Sequence, residues 1–279
     1  MSISLFAGRS SALLDDDGAR LLSFESDGAA VLRPARSAEA VQADPREAAC
    51  FPCAPWFGRL HGGLDFRGRH YDLDANLPAC DPDHALHGDA WLGRWEVTAH
   101  AARAATARFP HIGGPGRFPF TYVAAQSVSL TEARLSIALG VKNAGDEDMP
   151  AGLALHPFFP RGPNTRIAFG AEAFWTPGAT GGGALGAPPA GLDFSQGAPL
   201  PATHVDHSYQ GFKGAVLIDL GGVVVRLASD APHLHLFAPE GADFFCLEPT
   251  THLPGDFGRD VLSPGRRMHL TMRIETERP

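Results

Sequence analysis

The sequence predicts an all-β chain built from antiparallel strands. Three observations carry that prediction. Eleven short segments alternate apolar and polar residues with a period of two. Turn signals separate many of them: Asp17-Gly18, Asp27-Gly28, Asn143-Ala144-Gly145 and Gly221-Gly222. No stretch alternates strand and helix as a parallel α/β sheet requires.

In chain order the segments are 19–26, 29–35, 94–102, 105–111, 120–131, 134–143, 215–222, 223–229, 233–239, 243–249 and 267–276. One segment, 37–50, has helical spacing, and Pro45 limits its length. The stretch "TPGATGGGALGAPPAG", 176–191, is too rich in glycine and proline to form an element. Strand-like segments of one kind flank it, so it reads as a long loop rather than a linker, and 1–279 reads as one domain.

With 279 residues, 44% of them hydrophobic, the chain can bury a large β core. The net charge of −8 and the lack of a basic run argue against nucleic acid as a partner. The N-terminus lacks a basic segment followed by an apolar run, so no signal peptide is expected. No window is apolar for long enough to span a membrane. Cys50 and Cys53 have CxxC spacing, but no second pair completes a zinc site and no βαβ context supports a redox motif. Reduced thiols in a cytoplasmic protein are the expectation.

Five segments carry polar residues that a half-buried sheet does not need. "APWFGRL" ends on Arg59, whose planar guanidinium can hold sugar or carboxylate oxygens, or can simply be solvated. "HALHGDAW" contributes His84 and His87, which a strand would place on opposite faces, with Trp91 as an apolar wall. "GLALHPFFP" places His156 before Pro157, at the expected end of an apolar strand. "HVDHSYQGF" carries Asp206 in what reads as a turn, where capping is an alternative role. "DFFCLEPTTH" puts Glu248 at the end of a strongly apolar strand, where burial would raise its pKa towards a general-base range. A sixth pattern, His233-Leu234-His235, would place two imidazoles on one strand face, as a cupin-type metal site requires. The matching second half is missing, and no metal is expected.

Taken in order, these blocks resemble the aldose 1-epimerases, or galactose mutarotases. "FPCAPWFGRLHGG", "HALHGDAWLGRWEV", "GLALHPFF", "DHSYQGF" and "FCLEPTTHLPGDF" follow the family's arrangement over most of the chain. The resemblance implies an antiparallel β-supersandwich with a sugar cleft on the larger sheet. It also implies roles: Glu248 as general base on the C1 hydroxyl, His156 as general acid at the ring oxygen, and His87 assisting there. Arg59, Asp206, His84 and Trp91 would hold the sugar. The reaction would interconvert the α- and β-anomers of a free aldose, without a cofactor. With ordinary pKa values of about 4.3 and 6.5, Glu would be ionised and His protonated at workable populations near neutrality. Gly58 stands where the family often has Asn, and Phe158 where Tyr is common, so the sugar itself is left open. A sugar phosphate would need a further cation near Arg59, with Arg94 and Arg161 as candidates. A carbohydrate-binding module would need the aromatic residues but not Glu248 and His156 together. The oligomeric state has no signature in the sequence.

Overall fold

The computed structural model describes residues 2–15, 19–178 and 182–277. The expected turn at Asp17-Gly18 lies outside the described residues. Two large antiparallel sheets dominate, one of eleven strands and one of nine. A continuous apolar cluster joins them, from Phe24, Leu234 and Leu247 of the larger sheet to Val141, Leu227 and Ile274 of the smaller. The antiparallel expectation is met.

The smaller sheet follows the sequence pattern closely. Tyr122–Leu130 and Arg134–Asn143 alternate buried and less buried residues throughout. They pair with each other and then with Arg267–Glu277. One face packs on the core and the other meets solvent, so the period of two stays visible.

The larger sheet hides that pattern. Its central strands are Cys50–Cys53, Ala154–Pro160, Phe244–Thr250, His233–Ala238 and Val205–Gln210, side by side in that order. Along Phe244–Thr250, Phe245 and Leu247 enter the main core, while Cys246 joins a second apolar cluster on the opposite face. Along Ala154–Pro160, Leu155 and Phe159 face the core, and Ala154 and Phe158 face the second cluster. Both faces are covered, so these strands read as apolar runs without alternation.

Several expectations are corrected here. His156 and Glu248 do not end their strands: pairing continues to Pro160 on one and Thr250 on the other. Asp206 lies within strand Val205–Gln210 rather than in a turn. Segment 29–35 forms strand at Ala29–Ala30 alone, because Val31 and Leu32 turn into the core and the Arg33 N–H donates to the Phe158 carbonyl. The helix is short, Ala38–Ala43, with Ser37 as its N-cap, and Pro45 opens a 3-10 turn, Pro45–Glu47. The Gly/Pro-rich stretch is not a plain loop. Ala173–Pro177 and Gly183–Gly186 pair as an edge hairpin, with Gly183 seated against the Trp175 ring.

Candidate active site

Strand register builds the site as two cross-strand rows. His156 pairs with Phe51 on one side, and Glu248 pairs with His235 on the other. His235 pairs in turn with Ser208, and Ser208 with Trp175. Ala154 faces Thr250 and Phe158 faces Cys246, which sets His156 opposite Glu248 between them. One row therefore reads Phe51, His156, Glu248, His235, Ser208, Trp175. The next reads Phe158, Cys246, Phe237, Asp206. Pro157 and Pro249 occupy the stretch between the Ala154 and Phe158 pairs, where neither can donate to the ladder.

These rows, Cys246 apart, floor a cavity of about 670 Å³. Its floor and walls include His156, Glu248, His235, Asp206, His87 and Arg59. Glu248 is 1% exposed, and neither of its carboxylate oxygens has a hydrogen-bond partner among the described residues. His156 Nε2 stands 3.3 Å from Glu248 Oε1, outside hydrogen-bond geometry. Stacking on Phe51 and Phe158, at 4.4 and 4.8 Å between ring centroids, holds the imidazole in place.

Burial sets the protonation of this pair. It pushes the Glu248 carboxyl well above the usual carboxylate range, and the charge of Asp206 adds to that. Burial also pushes His156 well below the ordinary imidazole value, helped by His87 and His235. Both shifts favour the neutral forms of the pair, carboxylic acid and imidazole, over the charged ones. This corrects the expectation of an ionised glutamate facing an imidazolium, which rested on ordinary pKa values. The proton count is unchanged, because both descriptions place one proton on the pair.

His87 comes from an irregular segment, not a strand. Its φ is +55°, in the left-handed region that residues with a Cβ seldom adopt. Two backbone groups of Gly58 fix it. The His87 N–H donates to the Gly58 carbonyl at 2.9 Å, and the Gly58 N–H donates to His87 Nδ1 at 3.2 Å. Nδ1 is therefore the acceptor, and the ring proton sits on Nε2. Burial, with Arg59 and His235, lowers its pKa to about 3. Gly88 follows with φ +79°, and a Cβ there would lie 2.0 Å from the Ala54 carbonyl oxygen.

Arg59 Nε donates to Asp81 Oδ2 at 2.6 Å. Asp81 Oδ1 also meets His84 Nδ1 at 2.9 Å and accepts from the backbone N–H groups of Asp83 and His84. Burial would raise the Asp81 pKa, but these donors outweigh it and hold the group at about 2. His84 does not line the cavity; it packs edge-on against His61 and anchors Asp81. Asp206 accepts from His235 Nε2 at 3.1 Å, and His235 Nδ1 contacts Ser208 Oγ at 2.7 Å. Burial works against the Asp206 carboxylate, yet His235, Arg59 and His204 hold its pKa at about 2. Both His235 ring nitrogens are engaged, which leaves none for the cupin-type pair with His233.

Trp91 is fully buried, with its Nε1–H on the Leu86 carbonyl and its ring against Phe51 and His87. It lines the cavity from behind, packed on Phe51 and His87. Phe237 and Phe244 are half-buried rings that also line the cavity. Asp81 and His235 were not read as site residues from the sequence. The signal for both lay in pairing across strands and loops.

All four cysteines are free, and Cys50 and Cys53 face opposite sides of their strand. No helix among the described residues is long and apolar enough to cross a membrane.

Comparison with known proteins agrees with this architecture. The sequence profile of the aldose 1-epimerase family matches residues 1–275. The chain is 31% identical to the uncharacterized protein YphB of Escherichia coli K12, over 95% of this chain and 94% of that one. An E. coli K12 crystal structure described as a candidate aldose 1-epimerase superposes with a TM-score of 0.88, at 31% identity and 99% coverage of both chains. A galactose 1-epimerase from Lactobacillus acidophilus NCFM shares the fold, with a TM-score of 0.81 at 17% identity over 99% of this chain and 94% of that one. The chain belongs to the aldose 1-epimerase family.

Proposed function

We propose that this protein interconverts the α- and β-anomers of a free aldose by opening and reclosing the sugar ring. The observation that carries the reading is the His156–Glu248 pair, 3.3 Å apart on the floor of the cavity, with both carboxylate oxygens unpartnered. A buried carboxyl without a hydrogen bond is costly unless a ligand supplies one.

Ring opening takes a proton from the C1 hydroxyl and gives one to the ring oxygen. Glu248 removes the first and His156 delivers the second. The sugar's hydroxyls favour the ionised form of the pair by hydrogen bonding, shifting its one proton from carboxyl to imidazole. His87 donates from Nε2 beside the ring oxygen. Arg59 and Asp206, each already oriented by Asp81 and His235, hold ring hydroxyls. The aldehyde turns about C1–C2, and returning the protons yields the other anomer. Each proton transfer contributes roughly 10²–10⁴ in rate.

Polarimetry on freshly dissolved α-anomers of galactose, glucose, arabinose and xylose tests this. Faster approach to the equilibrium rotation, lost in Glu248→Gln, is the expected result. No acceleration of any free sugar would overturn it.

A phosphorylated aldose is the second reading, and Arg33 favours it. Its guanidinium lines the cavity over Phe158 and Phe244, each 4.5 Å from the ring centroid. No carboxylate lies within ion-pair distance of it among the described residues. Arg33 Nη2 also donates to the Arg46 and Ala48 carbonyls, as Arg161 does to those of Pro239 and Pro201; of the three arginines, Arg161 and Arg94 do not line the cavity. Competition by inorganic phosphate separates the two readings.

A further inference from the structure

We infer that the floor of the cavity is also a binding site for a thiophilic divalent cation such as Zn²⁺, and that its occupation shuts the enzyme off. The site consists of His156, Glu248 and Cys246, whose ligand atoms all lie within 4.8 Å of one another. Cys246 has no part in the proposed proton transfers. It stands two residues before Glu248 on the same strand, so both side chains project to the same face.

The spacing fits a tetrahedral ion. Zinc bonds of about 2.0–2.1 Å to nitrogen and oxygen place two such ligands about 3.4 Å apart. His156 Nε2 and Glu248 Oε1 are already 3.3 Å apart. A zinc–sulfur bond of about 2.3 Å asks for a sulfur roughly 3.6 Å from the other two atoms. With the three ligand atoms within 4.8 Å of one another, ligation requires the Cys246 sulfur to close in by roughly 1 Å. The two Glu248 oxygens, buried and without partners, point to a missing ligand at this spot. His156 and Glu248 both line the cavity, which is the route by which an ion would reach them. Imidazole, thiolate and carboxylate together favour zinc or cadmium over magnesium or calcium. Binding releases the thiol and carboxyl protons to solvent and ties up both groups the reaction needs.

Inhibition rests on the proposed anomer exchange; cation binding does not, so two readouts are used on the full chain. The first is titration with Cd²⁺, followed by thiolate-to-metal charge-transfer absorption in the ultraviolet. The second is Zn²⁺ inhibition of mutarotation. Wild type should show the absorption with one equivalent of Cd²⁺. Cys246→Ser and Cys246→Ala should lose it, keep wild-type basal exchange and need at least about tenfold more Zn²⁺ for inhibition. Cys50→Ser, on the core face, should behave as wild type. The inference fails if wild type gives no absorption, or if the absorption survives in both Cys246 variants. Absorption without any mutarotase activity would uphold the cation site and overturn the proposed function instead.

Discussion

His156 and Glu248 face each other across adjacent antiparallel strands, 3.3 Å apart, in the stretch where Pro157 and Pro249 interrupt the backbone ladder. The carboxyl and imidazole therefore share one buried pocket and one proton.

Glu248→Gln should lower mutarotation by about 10²–10⁴ while raising stability. Unfolded, Glu248 ionises near 4.5; folded, it keeps its proton to a much higher pH. Folding above the unfolded value thus takes up a proton, and stability falls as pH rises from there towards the folded value. Gln removes that penalty. Thermal unfolding at pH 7 should shift up by about 2–8 °C. A lower Tm in this variant would refute the buried neutral carboxyl.

The pH profile of kcat/KM should pass through 6.5 without an inflection. His156 is held well below that value and Glu248 well above its own, so neither group titrates at its ordinary value. Activity should fall on the acid side, once the pair takes up a second proton. A wild-type inflection near 6.5 that vanishes in His156→Asn would contradict the assignment.

Acidification should also cost stability. His87, His156 and His252 are buried, with pKa values lowered to about 3, to well below normal and to about 4. The unfolded chain takes up their protons near 6.5 and the folded chain resists. Their contribution is complete above 6.5 and is lost as pH falls towards the folded values. These three outnumber Glu248, whose effect runs the other way. Tm measured from pH 7 to pH 4 should decline, and a flat or rising curve would count against the buried neutral imidazoles.

Asp81→Asn should raise KM by roughly 5–30-fold with kcat changed less than about threefold. The charged contact to Arg59 Nε at 2.6 Å positions the guanidinium, and such contacts contribute about 1–2 kcal/mol. Steady-state kinetics of Asp81→Asn, Arg59→Gln and the double variant test this. Additive losses would show that Asp81 does not act through Arg59.

Gly88→Ala and Gly58→Asn should differ sharply. At Gly88 a Cβ meets the Ala54 carbonyl oxygen at 2.0 Å, so the loop carrying His87 must move. A loss of more than about 2 kcal/mol and of most activity is expected. At Gly58 the nearest atom to a Cβ is 3.9 Å away, and Asn tolerates the left-handed backbone. That variant should fold, with a Tm lowered only slightly by the positive φ of +78°.

The smaller sheet was legible because one face is wet: segment 134–143 became Arg134–Asn143 without revision. The central strands of the larger sheet were legible as apolar runs, but not in their extent. His156 and Glu248 each precede a proline, which looks like a strand end when no partner strand is known. Asp206 beside His207 looked like a turn for the same reason. The Gly/Pro-rich stretch concealed a hairpin, because the requirement for glycine at Gly183 comes from the Trp175 ring on the paired strand, a contact that the residues beside Gly183 do not announce.

By itself the sequence determined the antiparallel β class, the family and the residue types available for acid–base chemistry. Those follow from local periodicity and short motifs, which involve neighbours along the chain. The tertiary structure alone decided which side chains meet, and in what state. Register set His156 opposite Glu248 and His235 beside Asp206. Burial shifted an expected ion pair towards its neutral form and covered the Trp91 ring. Desolvation and cross-strand distance depend on residues far apart in the chain, so no local reading of the sequence contains them.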